Sequence, residues 1–447
     1  MQTQILNFTH SKLSDLISKA LEAAKSNGAT SAEAEISVAT GKNVSVRLGN
    51  LETVEHNNDK SLSLTVYIGQ RRGVASTSDF SSNAIDDCVN AACQIAKYTS
   101  EDNAFGLPEK SQFATNVKDL DLFHRWDKDE SIMINKALSC EDAALSFDGK
   151  IENSEGAQIS NTEGMFVYAN SSGFIGGFPS SRFSLGCSII AKDNKGMQRD
   201  SVYSSVRCFS DLKDPRLIGH EVAQRVLKRL NSKTIKTGKY PVIFEAPIAT
   251  SFISSLVSAI SGGNLYRETS FLLGSVGSKI ASEVLTIFED PFLLRGNAST
   301  YFDDEGVSVK PRILVDKGVL NGYLLSTYSA RRLNMQSTGN AGGSHNLIVQ
   351  PSDSGLEQLI SSMGTGLIVT ELLGHGVNMV TGDYSRGAAG LWVEAGEIKH
   401  AVEEITIAGN LKAMLNNVAA VGGDTYKNSS KYTGSILINE MMIASNN

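Results

Sequence analysis

The chain has few of the features that identify secreted or membrane-spanning proteins. Its 447 residues include five cysteines, and these form no Cys-x-x-Cys pair. An odd number of scattered cysteines argues against a disulfide framework or a zinc ribbon and favours a reducing cytoplasm. No apolar run reaches the roughly 18–20 residues that cross a bilayer. The first residues, MQTQILNFTHSKLSDL, lack the basic and apolar regions of a signal peptide.

Clustered positive charge is also missing. The formal net charge is −7 and the isoelectric point is near 5.6, whereas a nucleic-acid interface needs a concentrated patch of Lys and Arg. The mean hydropathy of −0.11 is ordinary for a globular chain. We therefore expect a soluble cytoplasmic protein that contacts neither nucleic acid nor membrane directly.

The length exceeds what a single hydrophobic core supports, so the chain should divide into two or three domains. We predict a multi-domain α+β protein with antiparallel sheets. Helices should cover the sheets of an N-terminal domain (residues 1–125) and a middle domain (126–236). A β-rich, glycine-rich C-terminal domain should occupy residues 237–447.

The hydrophobic periodicity supports this division. Apolar residues at helical spacing predict a first helix over 13–24, which should end at Gly28. Alternating apolar residues then predict strands over 44–48 and 62–68, with turns at 49–50 and 57–59. Further helices are predicted over 83–98, 130–147 and 248–260, and one that starts at Pro215. The segment 99–129 is interpreted as a linker.

Tests for catalytic motifs fail. His220-Glu221 could open an HExxH zinc helix, but the expected second ligand position holds Gln224, followed by Arg225. His220 is therefore interpreted as a helix-surface residue. Ser385 lies in GDYSRG, which has Asp383 where a nucleophile elbow needs glycine. No phosphate-binding loop or catalytic cysteine is evident, so the motifs alone indicate no reaction.

The stretch 364–424 still gathers glycines with polar side chains between apolar segments. It contains His375, Asp383, Tyr384, Ser385 and Arg386. Glycine permits close approach of a second backbone, so the pattern is compatible with a ligand-binding wall. It is equally compatible with a set of tight hairpins. The residue pattern leaves both interpretations open.

Longer segments carry a family resemblance. GDYSRGAAGLWVEAGEI, EITIAGNL, STGNAGG, ASTYFDDEGV and YSARRL resemble the PmbA/TldE branch of the TldD/PmbA family, known as peptide maturation proteins and as modulators of DNA gyrase. The similarity runs nearly end to end. It implies a subunit of a two-subunit zinc metalloprotease in which the TldD-type subunit carries an HExxxH helix and a distant cysteine as zinc ligands.

The same resemblance implies that this chain lacks the metal site. The HExxxH helix corresponds to residues 254–259, SSLVSA, and the cysteine position falls near Asn428. No cofactor is expected in this chain, zinc is expected in the TldD-type partner, and the C-terminal domain should hold a degenerate protease site. Helix 248–260 is interpreted as a buried packing helix.

The resulting hypothesis is a TldE-type subunit that is inactive alone and forms a heteromer with a TldD-type paralogue. It would hold unfolded, extended peptides by strand addition, and could be a homodimer when alone. The candidate peptide-binding residues lie in the segments 339–346 and 382–390: Gly342, Gly343, His345, Asn346, Gly382, Asp383, Tyr384, Ser385 and Arg386.

Two alternatives remain open. One is a homodimeric protein-binding factor that modulates a DNA gyrase–toxin complex without proteolysis. The other is an independent hydrolase that uses Ser385 or His375, although the sequence shows no paired base for either residue.

Overall fold

A computed structural model describes residues 3–445, and its first half is a sheet covered by helices. The elements of this half, in chain order, are β1 (Gln4–Ile5), β2 (Phe8–Thr9), α1 (His10–Ser26), β3 (Ser31–Arg47), β4 (Asn50–Ile68), β5 (Arg71–Thr77), α2 (Ser82–Tyr98), α3 (Ser131–Leu145), β6 (Ile151–Asn170), β7 (Ile175–Lys192), β8 (Met197–Val206) and α4 (Pro215–Lys228). Between α2 and α3 the chain is irregular apart from a 3-10 turn at Lys110–Gln112.

One six-stranded antiparallel sheet organises this half, in the order β5-β4-β3-β6-β7-β8. Two helix pairs cover it. The apolar sides of α1 and α2 form one hydrophobic core with the sheet, and those of α3 and α4 form a second core further along the same strands. Because β3 pairs with both β4 and β6, strands from either side of residue 125 share one sheet. The position of the domain boundary stays a prediction.

The second half is rich in short strands. Its elements are β9 (Gly238–Phe244), α5 (Ala246–Ala259), α6 (Gly262–Tyr266), β10 (Ile287–Asp290), β11 (Arg312–Asp316), β12 (Val319–Leu320), α7 (Thr327–Arg332), β13 (Asn346–Val349), α8 (Leu356–Met363), β14 (Gly366–Leu373), β15 (Asp383–Glu394), β16 (Glu397–Asn410), α9 (Leu411–Asn416), β17 (Val418–Val421), β18 (Lys431–Tyr432) and β19 (Ile436–Ser445).

These strands form two sheets. The larger has the order β16-β15-β14-β9-β19-β17, and an additional pairing of β16 with β19 closes five of its strands into a barrel. The smaller has the order β12-β11-β10-β13-β18. The apolar side of α5 lies in the largest hydrophobic core of the described chain, together with residues from both sheets. The barrel strands and α5 position the candidate site.

The predicted fold class, α+β with antiparallel sheets and a β-rich C-terminal half, is confirmed. The predicted helices are present within a few residues of their expected ends. The turn predicted at 57–59 is wrong, because β4 runs straight through these residues and pairs them with Gly41, Thr40 and Ala39 of β3. Their polar side chains reflect exposure on an outer strand. No helix within residues 3–445 combines the length and apolarity that a bilayer crossing requires.

Candidate functional site

The largest pocket that contains a predicted site residue lies where α4 and the first sheet meet the barrel. We call it the arginine pocket. It has a volume of about 640 Å³ and is lined by residues of β6, β7, β8, α4 and its C-terminal cap, α5, β14 and β15. Four arginines contribute to its wall: Arg199, Arg225, Arg229 and Arg386. A pocket of this size, with several charged groups, suits a polar ligand.

Two of these arginines are held by acidic residues. Arg225 lies 2.8 Å from Glu245 and 3.4 Å from Asp200. Arg229 also pairs with Asp200 and with Glu371. Burial alone would lower the pKa of Arg225, but the carboxylates of Glu245 and Asp200 outweigh it and raise that pKa. These pairs connect α4 to the start of α5 and to β14, and they form one fixed wall of the pocket.

Arg386 is placed in this pocket by β15. The strand sets it opposite Ile407 of β16, and its side chain is half-buried. Within residues 3–445 its Nε atom is buried and has no hydrogen-bond partner of normal geometry, and the same holds for the hydroxyl of Tyr384. Tyr384 is 2% exposed. Burial raises the pKa of Tyr384 to about 12, although the charge of the neighbouring Arg386 and a hydrogen bond from its guanidinium act in the opposite direction.

The predicted segment 339–346 lines a different pocket, which we call the acidic pocket. It has a volume of about 230 Å³, and its wall includes Glu35, Asp304, Gly342, Gly343, Ser344 and His345. Gly342 has φ +92°, and a Cβ there would lie 2.3 Å from the Asp304 carboxylate. Burial and the neighbouring Asp304 both raise the pKa of Glu35.

An ion network centred on a buried carboxylate supports the acidic pocket from behind. Glu289, 1% exposed, lies 2.7 Å from the Arg312 Nε and 3.0 Å from the His345 Nδ1. It also accepts hydrogen bonds from Asn340 Nδ2 and the His345 backbone N–H. Burial alone would raise the pKa of Glu289, but these hydrogen bonds and charges lower it to about 2. His345 is therefore tied into the core.

Asn346 has a structural role. It is completely buried, its amide group donates to the Asp290 carbonyl and the Ser299 hydroxyl, and its side-chain oxygen accepts from the Ala298 N–H. With these bonds in place, the side chain has no free group for a ligand.

The tip that precedes β15 is exposed. Asp383 accepts hydrogen bonds from the side chains of Thr381 and Asn410, and the Thr381 hydroxyl lowers the pKa of Asp383. Gly382 adopts φ +83° beside Asn410. Ser385 and His375 are also exposed, and within the described residues no hydrogen bond joins their side chains. The geometry shows no activated nucleophile at Ser385.

Both edges of β15 are occupied around these residues. On one side Asp383–Ala388 pairs with β16. On the other side Gly387 pairs with Leu373 of β14, and the Ser385 N–H donates to the Gly376 carbonyl at 2.7 Å. Neither edge is free to accept an added strand, so a peptide at this segment would have to contact side chains.

The helix that aligns with the family's metal site carries hydroxyl groups. In α5 the hydroxyls of Ser254 and Ser255 donate to the Thr250 and Ser251 carbonyls, at 2.7 and 3.1 Å, and Ala259 is completely buried. Asn428 bonds to the backbone of Tyr203 and Ser205. Zinc in proteins is bound by Cys, His and carboxylate groups, so these side chains do not fit it.

The prediction that this helix is a buried packing element is correct for one side alone. Phe252, Ile253 and Leu256 are buried in the core, whereas Ser251, Ser254 and Ser255 are half-exposed. Elsewhere within residues 3–445, no group of three His, Cys, Asp or Glu side chains is arranged to hold a metal ion. His220 is exposed on α4, as predicted, and its ring lies at a tilted angle beside the ring of Phe147.

Sequence reasoning found Arg386 but missed the rest of the arginine pocket. Arg225 was noted from the sequence only as the residue that follows a failed zinc motif. Arg229, Asp200 and Glu371 were not singled out. These residues come from four separate elements, and no local spacing connects them. Of the predicted residues, Arg386 lines the arginine pocket, and Gly342, Gly343 and His345 line the acidic pocket.

Comparison with known proteins places this architecture in a metallopeptidase family. Three family models match: PmbA/TldA metallopeptidase domain 1 over residues 32–96, the central domain over 123–230 and the C-terminal domain over 237–445. Metalloprotease PmbA homolog of Haemophilus influenzae is 46% identical over 445 residues, which cover 99% of this chain and 98% of that protein. Metalloprotease PmbA of Escherichia coli O157:H7 is 46% identical, with 97% and 96% covered.

Solved structures show the same fold. A crystal structure from Bacteroides thetaiotaomicron, described as a candidate modulator of DNA gyrase, superposes with a TM-score of 0.93 at 27% identity and covers 98% of this chain and all of its own. TldE from Thermococcus kodakarensis has a TM-score of 0.83 at 23% identity, with 96% and 100% covered. The chain belongs to the PmbA/TldD metallopeptidase family, in its PmbA (TldE) branch.

Proposed function

We propose that this chain is the non-catalytic, TldE-type subunit of a heteromeric zinc metallopeptidase that acts on unfolded peptides in the cytoplasm. The observation that carries the proposal is the side-chain chemistry of α5. Where the family resemblance expects two histidines and a glutamate, the helix presents Ser254, Ser255 and Ala259. A metallopeptidase needs bound metal to activate water, so this activity would come from a TldD-type partner.

The role left to this chain is to position peptide for that partner. The arginine pocket offers a polar surface beside α5, and the acidic pocket offers a second one. Since β15 has no free edge, the peptide is held at the 382–390 segment through side chains such as Arg386, and strand addition would use another edge. The Asn50–Ser61 part of β4 offers one, because it pairs with β3 alone.

The test is to purify the chain alone and together with a TldD-type paralogue. We expect less than stoichiometric zinc and no cleavage of an unfolded peptide by the chain alone, and cleavage by the co-purified pair. One tightly bound zinc per chain, or cleavage by the chain alone that a chelator abolishes, would contradict the proposal. A useful control is the TldD-type partner alone, since full activity without this chain would remove its proposed role.

A second candidate function is supported by the description of the Bacteroides relative as a modulator of DNA gyrase. On that hypothesis the chain acts as a protein-binding factor without proteolysis. Affinity purification from cell extract separates the two ideas. Recovery of a paralogue with an HExxxH helix supports the metallopeptidase subunit, whereas recovery of gyrase without that paralogue supports the binding factor.

A further inference from the structure

Arg386 differs from the other arginines of its pocket in having no acidic partner. Arg199 lies 3.2 Å from Glu155, and Arg225 and Arg229 each pair with two carboxylates. Within residues 3–445 no carboxylate lies within ion-pair distance of the Arg386 guanidinium. Its buried neighbour, Tyr384, is a neutral phenol at neutral pH. Arg386 therefore carries a full positive charge that the protein itself leaves unneutralised.

The surroundings of Arg386 keep this charge in place. Ile248 at the start of α5 and Leu372 of β14 line the same pocket and are packed against the main core. Within residues 3–445 the buried Nε atom has no hydrogen-bond partner of normal geometry, and its polar neighbour is the Tyr384 hydroxyl, a neutral group. Buried donors without partners are rare because each costs free energy. Because the Arg386 guanidinium lines the pocket and meets no carboxylate of the described chain there, a ligand in the pocket can supply the acidic partner that the protein does not.

The charge pattern restricts what that ligand can be. Glu155, Asp200 and Glu371 line the same pocket, and they would repel a dianion such as phosphate. A planar group with one negative charge is compatible with them, because it neutralises Arg386 without adding a second charge. The guanidinium fork matches a carboxylate with two parallel hydrogen bonds. The volume of about 640 Å³ leaves room for the adjoining residues of a chain.

We propose that the arginine pocket binds a carboxylate of a peptide through Arg386. Taking a peptide as the carrier of this group rests on the proposed function; the carboxylate itself is inferred from the pocket. The group can be the α-carboxylate at the end of the peptide or the side chain of Asp or Glu. A subunit without metal ligands would thus give the complex a preference for peptides that carry a carboxylate.

The experiment measures peptide binding to the full-length chain by isothermal titration calorimetry, alone and with a TldD-type partner inactivated at its HExxxH glutamate. Three N-acetylated peptides of alanine, serine and threonine are compared: the free acid, its C-terminal amide, and the amide with one internal Glu. We expect the free acid or the Glu peptide to bind at least about ten-fold more tightly than the plain amide. The tighter of the two identifies the source of the carboxylate.

Two variants locate the effect. Arg386→Ala should remove the preference for a carboxylate while weak binding of the amide persists. Arg386→Lys keeps the charge but loses the fork, so it should retain part of the preference. Arg71→Ala is the matched control, because Arg71, on β5, is a half-exposed arginine that pairs with Glu101 and does not line the pocket. It should bind all three peptides as the wild type does.

Several outcomes would overturn the inference. Equal affinity of the wild type for the three peptides would do so, and so would a preference that survives Arg386→Ala. Displacement of the peptide by inorganic phosphate but not by acetate would exclude carboxylate as the preferred group. If Arg386→Ala does not fold, the wild-type comparison of acid with amide still decides whether a carboxylate is preferred, and a preference left undiminished in Arg386→Lys would overturn the assignment to Arg386.

A result that contradicts the carboxylate site can be distinguished from one that contradicts the proposed function. If the two-subunit complex cleaves peptide but the chain binds all three peptides equally, the proposed function is supported and the carboxylate preference is contradicted. Conversely, the complex could cleave no peptide while the chain still prefers a carboxylate through Arg386. That result would support the binding site and contradict the peptidase role.

Discussion

The arginine pocket and the acidic pocket both collect charged side chains beside glycine-containing segments, but they treat those charges differently. In the acidic pocket the ionic groups behind the wall are buried and saturated with partners: Glu289 accepts from Arg312, Asn340 and His345. In the arginine pocket, Arg386 has a buried Nε atom without a hydrogen-bond partner of normal geometry, and within residues 3–445 it has no acidic partner. Saturated burial indicates a structural role, whereas unsaturated burial beside a cavity indicates a binding role.

The largest expected effect comes from breaking the saturated network. Glu289→Gln removes the charge that Arg312 and His345 share, so it should lower the free energy of unfolding by about 3–5 kcal/mol. The matched change in the arginine pocket is Glu371→Gln. Its carboxylate is partly exposed and Arg229 keeps Asp200 as a partner, so we expect a loss of at most about 1 kcal/mol. Urea unfolding of both variants tests the contrast, and equal losses would refute it.

The pH dependence of stability should follow Glu289 as well. Its pKa falls from 4.5 to about 2 on folding, which corresponds to about 3 kcal/mol. Because the folded-state pKa is depressed, this stabilisation is present above pH 4.5 and is lost as the pH falls toward 2. We expect the stability difference between wild type and Glu289→Gln to shrink over that interval. A difference that stays constant would show that the network is not ionic.

A backbone contact should position Arg386. A Cβ at Gly376 would lie 1.7 Å from the Ser385 carbonyl oxygen, so Gly376→Ala must push the start of β15 away, at a cost of about 2 kcal/mol. Gly374→Ala is the control in the same loop. It adds strain at φ +72° but meets no atom within 4 Å, so we expect about 1 kcal/mol. Thermal unfolding and peptide binding should both rank Gly376→Ala as the more damaging change.

The smallest effect concerns two buried tyrosines, one beside each pocket. The Tyr168 hydroxyl, at the acidic pocket, donates to the Glu33 carboxylate at 2.7 Å, so Tyr168→Phe should cost about 1.5 kcal/mol. The Tyr384 hydroxyl has no hydrogen-bond partner of normal geometry among residues 3–445, and its polar neighbour is Arg386, so Tyr384→Phe should change stability by less than about 0.5 kcal/mol or increase it. Denaturant unfolding distinguishes them. A large loss from Tyr384→Phe would mean that its hydroxyl is bonded after all.

Local patterns were sufficient to predict the longer helices. The helical spacing of apolar residues located α1, α2 and α4, since each helix buries one side against a sheet. The error at residues 57–59 arose because polar residues are typical of turns, and they also occur on the exposed outer part of β4. This part of β4 is a strand because it pairs with β3. The polar segment alone does not show that pairing.

The sequence alone was sufficient for the longer helices, the family and the residues that α5 carries at positions 254–259, because each depends on residue identity within a local segment. Only the tertiary structure decided which charged residues meet. Arg225 and Arg229 reach the pocket from α4, Asp200 from β8, Glu371 from β14 and Arg386 from β15. Their pairing depends on how α4 packs against the barrel, a long-range contact with no local pattern. The same packing leaves Arg386 without an acidic partner.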